Sequence, residues 1–277
     1  MDFKELTVVI VTYKSEAKIF DCLRSIDDQV NVLVVENSRN NEFKKKLEDK
    51  FPNLNCILTG SNLGYAAANN MGLRQVKTKY ALVLNPDTIL DKNAIQKFLE
   101  RANNVKEFWL IGPAKDQAVK LEFGENELIE VNNLKGFAIF FNLSKFNNDY
   151  FDENFFLYFE EIDLCKKVKI NKGKIYLDRL IKVNHQGSQS VNSHNKFELE
   201  KNRNWHWMWS TFYYHKKYKG FLIALIVIFP KLLSASFKFV MYSIILDKNK
   251  RDIYFCRLSG IVNSIAGNKS WYRPSID

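Results

Sequence analysis

Three carboxylates lie close together in the segment FEEID, directly after a run of aromatic residues: Glu160, Glu161 and Asp163. Apolar surroundings raise the pKa of a carboxyl group toward the pH at which it accepts a proton. On a helix, residues 160 and 163 share a face, whereas residue 161 points about 100° away. The pattern therefore indicates a general base, with the three acids in different roles. The alternative is a set of N-terminal acids that stabilise the helix dipole.

A second set of polar residues follows four apolar runs in the N-terminal half. Its members are Thr12-Tyr13, Glu36-Asn37-Ser38, Gly60-Ser61-Asn62 and Asn85-Pro86-Asp87. If the runs are parallel strands, these residues share the edge of the sheet at which ligands bind. Each group alone is also typical of a turn. Four such groups at one edge favour a binding site.

The apolar runs predict buried strands that alternate with helices. The strands are TVVIVTY (7–13), NVLVVENS (31–38), NCILTG (55–60) and KYALVLNPD (79–87). Residues 14–26 between the first two have apolar side chains at helical spacing behind Ser15, a candidate N-cap. Further helices are expected over 41–50, from about Gly64 and over 91–102. This order predicts a mainly parallel sheet covered by helices.

The second half of this region is less regular. Strands are predicted in EFWLIGP (107–113), AVKLEF (118–123), LIEV (128–131), LKGFAIFFN (134–142), KIYLD (174–178) and IKVNHQG (181–187). A helix is predicted after the aromatic run, because Phe159, Ile162 and Cys165 recur at helical spacing. The sheet is therefore expected to be mixed.

Charge is concentrated in the last third of the chain. The protein has a formal net charge of +10, and residues 196–277 hold 14 basic and 5 acidic side chains.

The four cysteines show no paired or metal-binding spacing, and the short β-branched run at the N-terminus differs from a signal peptide. A cytosolic protein with reduced thiols is expected.

The basic C-terminal region also contains a long apolar run, FLIALIVIFPKLLSASFKFVMYSIIL (221–246). A polar stripe runs along it at helical spacing and consists of Lys231, Ser234, Lys238 and Tyr242. With tryptophans upstream, this pattern favours a helix that lies in a membrane interface. The alternatives are packing within the protein or a homo-oligomer, and a true membrane span. Nucleic acid is not expected as a partner, because the basic residues border an apolar helix.

Five stretches occur in the order seen in a known family: VVIVTYKS, VLVVENS, NLGYAAANNMG, ALVLNPD and FFLYFEEIDLCKK. Over residues 6–190 the chain resembles the inverting glycosyltransferases of family 2, which have the GT-A fold. The stretches NLGYAAANN and NPD resemble the rhamnosyltransferase-like branch. The resemblance implies a nucleotide-sugar donor, either dTDP-rhamnose or a UDP-sugar, and a divalent cation, Mg²⁺ or Mn²⁺.

The resemblance also implies roles for single residues at the strand ends. Asp87 is the expected metal ligand, and His185 is expected to contact metal or phosphate. Many relatives have aspartate where this chain has Asn85, so this site carries one fewer charge. The residues expected to contact the nucleotide sugar are Thr12, Tyr13, Glu36, Asn37, Asn62, Gly64, Asn70, Asn85, Lys135 and Gly136. The small side chains around Gly64 are expected to permit close approach.

For the acceptor hydroxyl, the second acid of the family's acidic pair is the usual base. This assigns the base to Glu161, with Asp163 in support and Glu160 as the third candidate. The expected acceptor is a lipid-linked oligosaccharide, at the cytoplasmic face of the inner membrane.

The expected architecture is α/β: a GT-A domain over residues 1–195, with a Rossmann-like, mixed and mainly parallel sheet, and a helical, membrane-associating region over 196–277. Two other functions were considered. A nucleotidyltransferase needs a basic glycine-rich loop after the first strand, and VTYKSEAK lacks one. A non-catalytic membrane-bound scaffold stays open, because Glu36 and Asn85 depart from the family pattern.

Overall fold

The computed structural model describes residues 2–114, 127–185 and 193–273 of the 277-residue chain. The chain forms two compact units. The sheet unit comprises Met1–Asp152 and Glu161–Ser190, and the helical unit comprises Glu153–Glu160 and Val191–Asp277. The helical unit thus includes a short aromatic segment that lies well before the boundary expected at residue 195.

The strands of the sheet unit are β1 (Leu6–Thr12), β2 (Asn31–Glu36), β3 (Leu54–Leu58), β4 (Tyr80–Leu84), β5 (Thr88–Leu90), β6 (Phe108–Pro113), β7 (Leu128–Glu130), β8 (Ala138–Asn142), β9 (Lys174–Asp178) and β10 (Val183–His185). Among the described residues, eight of them form one sheet in the order β3-β2-β1-β4-β8-β6-β9-β7, and β5 pairs with β10. The pairs among β1 to β4 are parallel, whereas β8 is antiparallel to both its neighbours. The predicted mixed sheet is confirmed. The strand predicted over 118–123 lies outside the described residues.

The helices are α1 (Glu16–Arg24), α2 (Asn41–Lys50), α3 (Tyr65–Leu73), α4 (Ala94–Asn104), α5 (Glu160–Ile170), α6 (Ser193–Lys219), α7 (Phe221–Ile244) and α8 (Lys248–Ile265). Ser15 precedes α1 as predicted. However, its hydroxyl donates to the carbonyl of Tyr13 at 3.0 Å and makes no capping bond to the helix.

The first four strands end at one edge of the sheet. Thr12 lies opposite Glu36 in the register of β1 and β2, and Glu36 lies opposite Leu58 of β3. On the other side of β1, Ile10 lies opposite Leu84, so Asn85 continues β4 toward the same edge. The convergence expected from the sequence therefore occurs, and we call this edge the polar rim.

Both faces of the sheet are covered, because successive side chains of a strand point to opposite faces. Val8 and Ile10 pack in one apolar cluster, whereas Val9 packs in the other together with residues of α3 and α5. Helix α3 has a glycine where it approaches the sheet closely: a Cβ at Gly72 would lie 2.6 Å from Cγ1 of Val9. Small side chains in this helix thus serve packing.

In the helical unit, α8 packs closely on α6. A Cβ at Gly260 would lie 2.3 Å from the backbone oxygen of Trp205, which is completely buried. The aromatic segment Glu153–Glu160 packs within this unit too. Phe156 stacks on His206 at 4.5 Å between ring centroids, and Tyr158 contacts Trp207 at 5.3 Å.

Helix α7 leaves one apolar face exposed. The exposed fractions of seven side chains on that face run from 53% to 75%: Leu222, Ile226, Phe229, Leu233, Phe237, Val240 and Ile244. By length and composition alone α7 could cross a membrane, with a mean hydropathy of 1.9 in its most apolar window. Only 17% of that window is buried. We call this surface the apolar face of α7.

Candidate active site at the polar rim

Glu36 is a buried carboxylate at the end of β2, with an exposed fraction of 1%. It accepts hydrogen bonds from the hydroxyl of Thr12 at the end of β1 and from Ser38 Oγ at 2.5 Å. Burial raises the pKa of Glu36, and the two hydroxyl donors partly oppose that rise. The β1–β2 register thus fixes an acceptor group at the rim, beside the partly exposed Tyr13.

Asn37 organises the loop that leads to α3. Its amide nitrogen donates to Asn62 Oδ1 at 3.1 Å and to the carbonyl of Gly64 at 3.2 Å. The backbone N–H of Leu63 donates to Asn37 Oδ1 at 2.8 Å. Gly64 has a φ of 84°, a left-handed conformation that glycine adopts without strain. Asn37, Asn62 and Gly64 therefore give the rim its shape through bonds to one another.

Asn70 lies on the inward side of α3, and its amide is fully used by the fold. It donates to the carbonyl of Phe151 at 2.8 Å and accepts from the N–H of Phe151 at 3.0 Å. Its exposed fraction is 1%. The structure thus gives Asn70 a positioning role inside the sheet unit, in contrast to the residues at the rim.

Asp87 and His185 form a pair although 97 positions separate them in the chain. Asp87 follows β4 in a turn closed by the N–H of Thr88, which donates to the carbonyl of Asn85 at 3.1 Å. His185 reaches it because β10 pairs with β5 in the register His185 to Thr88. Asp87 Oδ1 lies 3.2 Å from His185 Nε2, and both side chains are partly exposed. The ring of Phe137 stacks on His185 at 5.0 Å.

This pair fits a divalent cation that a substrate helps to hold. The described residues contain no group of three or more His, Cys, Asp or Glu side chains placed to bind a metal. Asp87 and His185 supply one oxygen and one nitrogen donor, and cations bound to nucleotides commonly have few protein ligands besides the phosphates. Burial and the charge of Asp87 raise the pKa of the Cys22 thiol to about 12.

Glu161 is the partly exposed member of the acidic triplet. Asp163 is completely buried and Glu160 is 7% exposed, whereas Glu161 retains a solvent-accessible surface. Burial raises the pKa of Glu161, opposed by the N–H groups at the start of α5 and by the charge of Lys135. A general base must contact the proton it removes, and Glu161 has both the access and the raised pKa.

The backbone before α5 is unusual. Tyr158 and Phe159 both have positive φ angles, 68° and 73°, which aromatic residues rarely adopt. Such a conformation costs about 1–3 kcal/mol per residue and persists only where contacts enforce it. The ring of Phe159 contacts Trp207 and Tyr214, at 5.5 and 5.4 Å between ring centroids. These contacts hold the ring of Phe159 within the helical unit.

A series of contacts connects the Asp87–His185 pair to Glu161. His185 stacks on Phe137, and the preceding Gly136 lies against Glu161, since a Cβ at Gly136 would be 3.6 Å from Glu161 Cβ. Tyr65 of α3 donates its hydroxyl to the carbonyl of Gly136 at 2.6 Å. Asp87 and Glu161 are thus connected through the Lys135–Phe137 segment. Tyr65 and Phe137 were not among the predicted site residues, although Tyr65 lies within a quoted motif, and Ser38 was named among the strand-end residues without a role of its own.

Two curated proteins are similar in sequence. The chain is 27% identical over 192 residues to the low-salt glycan biosynthesis hexosyltransferase Agl10 of Haloferax volcanii, covering 60% of this chain and 62% of that one. It is 32% identical over 108 residues to the teichoic acid poly(glycerol phosphate) polymerase of Staphylococcus epidermidis, covering 36% and 15%. The matched regions span less than two thirds of either relative.

Solved structures confirm the GT-A fold. The mannosyltransferase PcManGT of Pyrobaculum calidifontis, in complex with GDP-Man and Mn²⁺, is 12% identical with a TM-score of 0.55, covering 96% of this chain and 88% of that one. GalNAc-T7 with UDP, GalNAc and Mn²⁺ is 11% identical with a TM-score of 0.54, covering 73% and 50%. The family model for glycosyl transferase family 2 matches residues 7–164, and since this stretch is more than half of the chain and includes both the polar rim and Glu161, the protein belongs to that family.

Proposed function

We propose that the protein is an inverting glycosyltransferase that moves L-rhamnose from dTDP-L-rhamnose to a hydroxyl of a lipid-linked glycan, in the synthesis of a bacterial cell-surface polysaccharide such as O-antigen. One observation carries this proposal. An accessible carboxylate with a raised pKa, Glu161, is connected through Gly136 and Phe137 to the Asp87–His185 pair. A base and a cation-binding pair connected in this way are what a single displacement at a sugar carbon needs.

The donor's nucleoside is proposed to bind at the end of β1 and β2. Glu36, held by Thr12 and Ser38, offers an acceptor for an N–H or O–H group of the base or ribose. Tyr13 is partly exposed beside it and can cover the base. The loop over residues 60–64 contains two glycines and a serine, which leaves room for a diphosphate to approach the backbone.

Asp87 and His185 are proposed to hold Mg²⁺ or Mn²⁺ together with the donor's phosphates. When bound, the cation supplies positive charge to the departing nucleoside diphosphate. Because Asn85 stands in place of a second carboxylate, the protein contributes less negative charge to this site. His185 is held by stacking on Phe137, which fixes the ring orientation against Asp87.

Glu161 is proposed to take the proton from the acceptor hydroxyl. The oxygen then attacks the anomeric carbon from the side opposite the nucleotide, so the configuration at that carbon inverts. The positive charge of Lys135 opposes the rise in the pKa of Glu161 that burial causes. Asp163, completely buried in the same helix, supports the position of Glu161.

A second candidate donor is a UDP-sugar, such as UDP-galactofuranose, a UDP-hexose or a UDP-N-acetylhexosamine. It is favoured by the description of one relative as a hexosyltransferase and by the UDP-GlcNAc bound to the similar structure of S. aureus TarS, 14% identical with a TM-score of 0.50. The third candidate, a non-catalytic scaffold, predicts that no nucleotide binds.

The proposed location is the cytoplasmic face of the inner membrane, with the protein bound to its surface. Seven apolar side chains of α7 are more than half exposed, and a lipid phase would cover them. A lipid-linked acceptor would be reached there. Association through the same face into a homo-oligomer is the alternative.

The test is a donor panel. The full chain is incubated with Mn²⁺, a lipid-linked acceptor and dTDP-L-rhamnose, UDP-galactofuranose, UDP-GlcNAc or GDP-mannose, and released nucleoside diphosphate and glycosylated lipid are measured. We expect one dTDP or UDP donor to give a product of inverted configuration, and Glu161→Gln to give none. Turnover of the same size in Glu161→Gln would overturn the assignment of the base. Calorimetry with dTDP, UDP and GDP that detects no binding would favour the scaffold.

A further inference from the structure

The helical unit contains a groove that the proposed chemistry at the rim does not use. It consists of two adjoining cavities of about 280 and 340 Å³. The first is lined by Tyr158, Arg203, Asn204, Trp207 and Arg257. The second is lined by Trp207, Met208, Pro230, Lys231, Ser234 and Arg257. Trp207 and Arg257 belong to both, and we call the whole the arginine groove.

The arginine groove is strongly basic. In the described part of the chain, none of Arg203, Lys231 and Arg257 forms an ion pair with a carboxylate. Arg257 donates to the amide oxygen of Asn204 at 2.6 Å, which orients its guanidinium without neutralising it. Other cations engage the acids of α6 and α8: Lys201 pairs with Glu198, Lys250 with Asp247 and Arg251 with Asp252. Three cations around one groove favour an anion as ligand.

The cationic side chains of the arginine groove indicate that its ligand carries a phosphate group. Two guanidinium groups can each present paired N–H donors to phosphate oxygens, and the ammonium group of Lys231 adds a third charge. Each cavity is near or below the lower limit of ordinary ligand sites, so it suits a charged headgroup better than a whole glycan. Burial raises the pKa of the Tyr158 hydroxyl; the nearby charge of Arg203 opposes that rise, and the charge of Glu160 adds to it.

The apolar face of α7 passes beside the groove. Pro230, Lys231 and Ser234 line the groove, and the neighbouring Phe229 and Leu233 are 55% and 53% exposed on the same helix. A cationic pocket next to exposed hydrocarbon matches a ligand that has both an anionic head and a hydrocarbon chain. Free phosphate would leave the apolar face of α7 unexplained, and a polynucleotide would not cover it.

The groove is also joined to the proposed base along the chain. Tyr158 lines it and stands three residues before Glu161, in the segment whose left-handed backbone leads into α5. A phospholipid headgroup has no need of such a connection, whereas an acceptor must be presented to the base. This favours the acceptor as the source of the phosphate.

We propose that the arginine groove binds the phosphate or diphosphate of the lipid-linked acceptor, with the lipid chain along the apolar face of α7. This rests on the proposed function for the identity of the acceptor. The binding itself does not depend on transfer, because Arg203 and Lys231 belong to the helical unit, and so it can be measured separately.

The first experiment measures binding of farnesyl diphosphate to the full chain by isothermal titration calorimetry. We expect Arg203→Gln/Lys231→Gln to weaken it about tenfold or more, since two charge-assisted contacts are lost. The control is Lys219→Gln/Lys248→Gln, which removes the same charge from exposed positions of the helical unit outside the groove and is expected to bind as the wild type does. Equal weakening in both double variants would overturn the proposal. If the glutamine variant melts at a lower temperature, Arg203→Lys/Lys231→Arg replaces it and is expected to keep binding.

Two further ligands identify the source of the phosphate. Farnesol and inorganic pyrophosphate are each expected to bind at least tenfold more weakly than farnesyl diphosphate, because each lacks one half of the ligand. Pyrophosphate that binds as tightly would overturn the lipid part of the proposal. Phosphatidylglycerol vesicles are expected to lose affinity equally in the groove variant and the control variant. A larger loss in the groove variant would assign the groove to a phospholipid headgroup and overturn the proposal.

The last experiment uses transfer itself. The same glycan is offered on a diphosphate-linked lipid and on an uncharged alkyl chain, and the two kcat/KM values are divided. We expect the preference for the diphosphate acceptor to fall about tenfold in Arg203→Gln/Lys231→Gln and to stay unchanged in the control variant. An unchanged preference in the groove variant would overturn the proposal. If no donor is turned over by the wild type, the proposed function fails, while the farnesyl diphosphate measurement still decides the groove.

Discussion

The sheet unit and the helical unit use apolar residues in opposite ways. All five residues of β4 have exposed fractions of 2% or less. On the apolar face of α7, seven aliphatic and aromatic residues have exposed fractions of 53% to 75%. The apolar sequence of β4 is fully explained by the unit that contains it. Among the described residues of the helical unit, the apolar face of α7 has no partner that buries it, and a lipid phase is the proposed partner.

Polar residues show the reverse distribution. The sheet unit buries the carboxylates of Glu36, at the polar rim, and of Asp163, in α5, although burial of a charge opposes folding. The helical unit keeps three cations around a groove without a carboxylate partner among the described residues. The first arrangement suits chemistry on a bound substrate, and the second suits attraction of a charged one. The predictions below test this contrast, from the largest effect to the smallest.

Glu161→Gln should show the largest effect on activity. Removal of the base is expected to lower kcat by about 10²–10⁴-fold, with donor binding retained. Single-turnover transfer and calorimetry with the donor measure the two quantities. Asp49→Asn, at an exposed position of α2, is the control and should behave as the wild type. Loss of donor binding in Glu161→Gln would contradict the separation of base and nucleotide sites.

Asp87→Asn should reduce transfer by about two to three orders of magnitude, because a ligand of the proposed cation is lost. Unlike Glu161→Gln, it should also abolish the increase in nucleotide affinity on addition of Mn²⁺. Calorimetry with dTDP or UDP, with and without Mn²⁺, measures this. An Mn²⁺ effect that persists in Asp87→Asn would place the cation elsewhere.

Phe237→Glu tests the apolar face of α7. A buried Phe side chain is worth about 1.5–3 kcal/mol, so partition to phosphatidylglycerol vesicles should fall by at least about tenfold. The melting temperature should not change, because Phe237 is 70% exposed in the helical unit. Asn249→Glu adds the same charge at an exposed polar position of α8. Equal loss in both variants would mean that charge alone, without insertion of the apolar face, governs binding.

Two glycines compare the packing of the units. Gly260→Ala places a methyl group against the backbone of Trp205, which cannot move aside, and should destabilise the helical unit by about 1–3 kcal/mol or more. Gly72→Ala meets side chains of Val9 and Val35, which can adjust, and should cost less. Denaturant unfolding monitored at each unit measures both. A larger loss in Gly72→Ala would reverse the comparison.

The pH dependence of Glu161 should give the smallest effect. Because burial raises its pKa in the folded protein, the proton-bound form is favoured by folding. The resulting stability is complete below the unfolded pKa of Glu and is lost as the pH rises through the raised folded value. Glu161→Gln should therefore be the more stable protein at neutral pH and lose that advantage near pH 4. The acid limb of kcat/KM should have its midpoint above 4.5 for the same reason.

Local patterns in the sequence predicted the residues of the rim but only part of the fold. The β-branched runs located β1 to β4, and the rule that parallel strands end at one edge placed Thr12, Glu36 and Asp87 together. The pairing of β6 with β9 and of β5 with β10 joins distant segments, and no local periodicity encodes it. His185 was selected by resemblance, and its contact with Asp87 depends on that long-range pairing.

Other features lay beyond local patterns as well. Asn70 looks like a polar contact residue in sequence, and only the packing of α3 reveals that its amide bonds to Phe151. The left-handed backbone of Tyr158 and Phe159 contradicts residue preference, so contacts must impose it. The arginine groove combines residues of the aromatic segment, α6, α7 and α8, which no single stretch of sequence contains.

The left-handed backbone ahead of α5 also limits how far the chain can be shortened. Phe159 is kept in that conformation by rings that come from α6, near residues 207 and 214. A protein cut after β10 would retain every polar side chain of the rim. It would lose the ring contacts of Phe159 with α6, so the backbone before Glu161 could relax to a more common conformation. The C-terminal helices are therefore expected to contribute to the conformation of this turn, in addition to their proposed role in attachment.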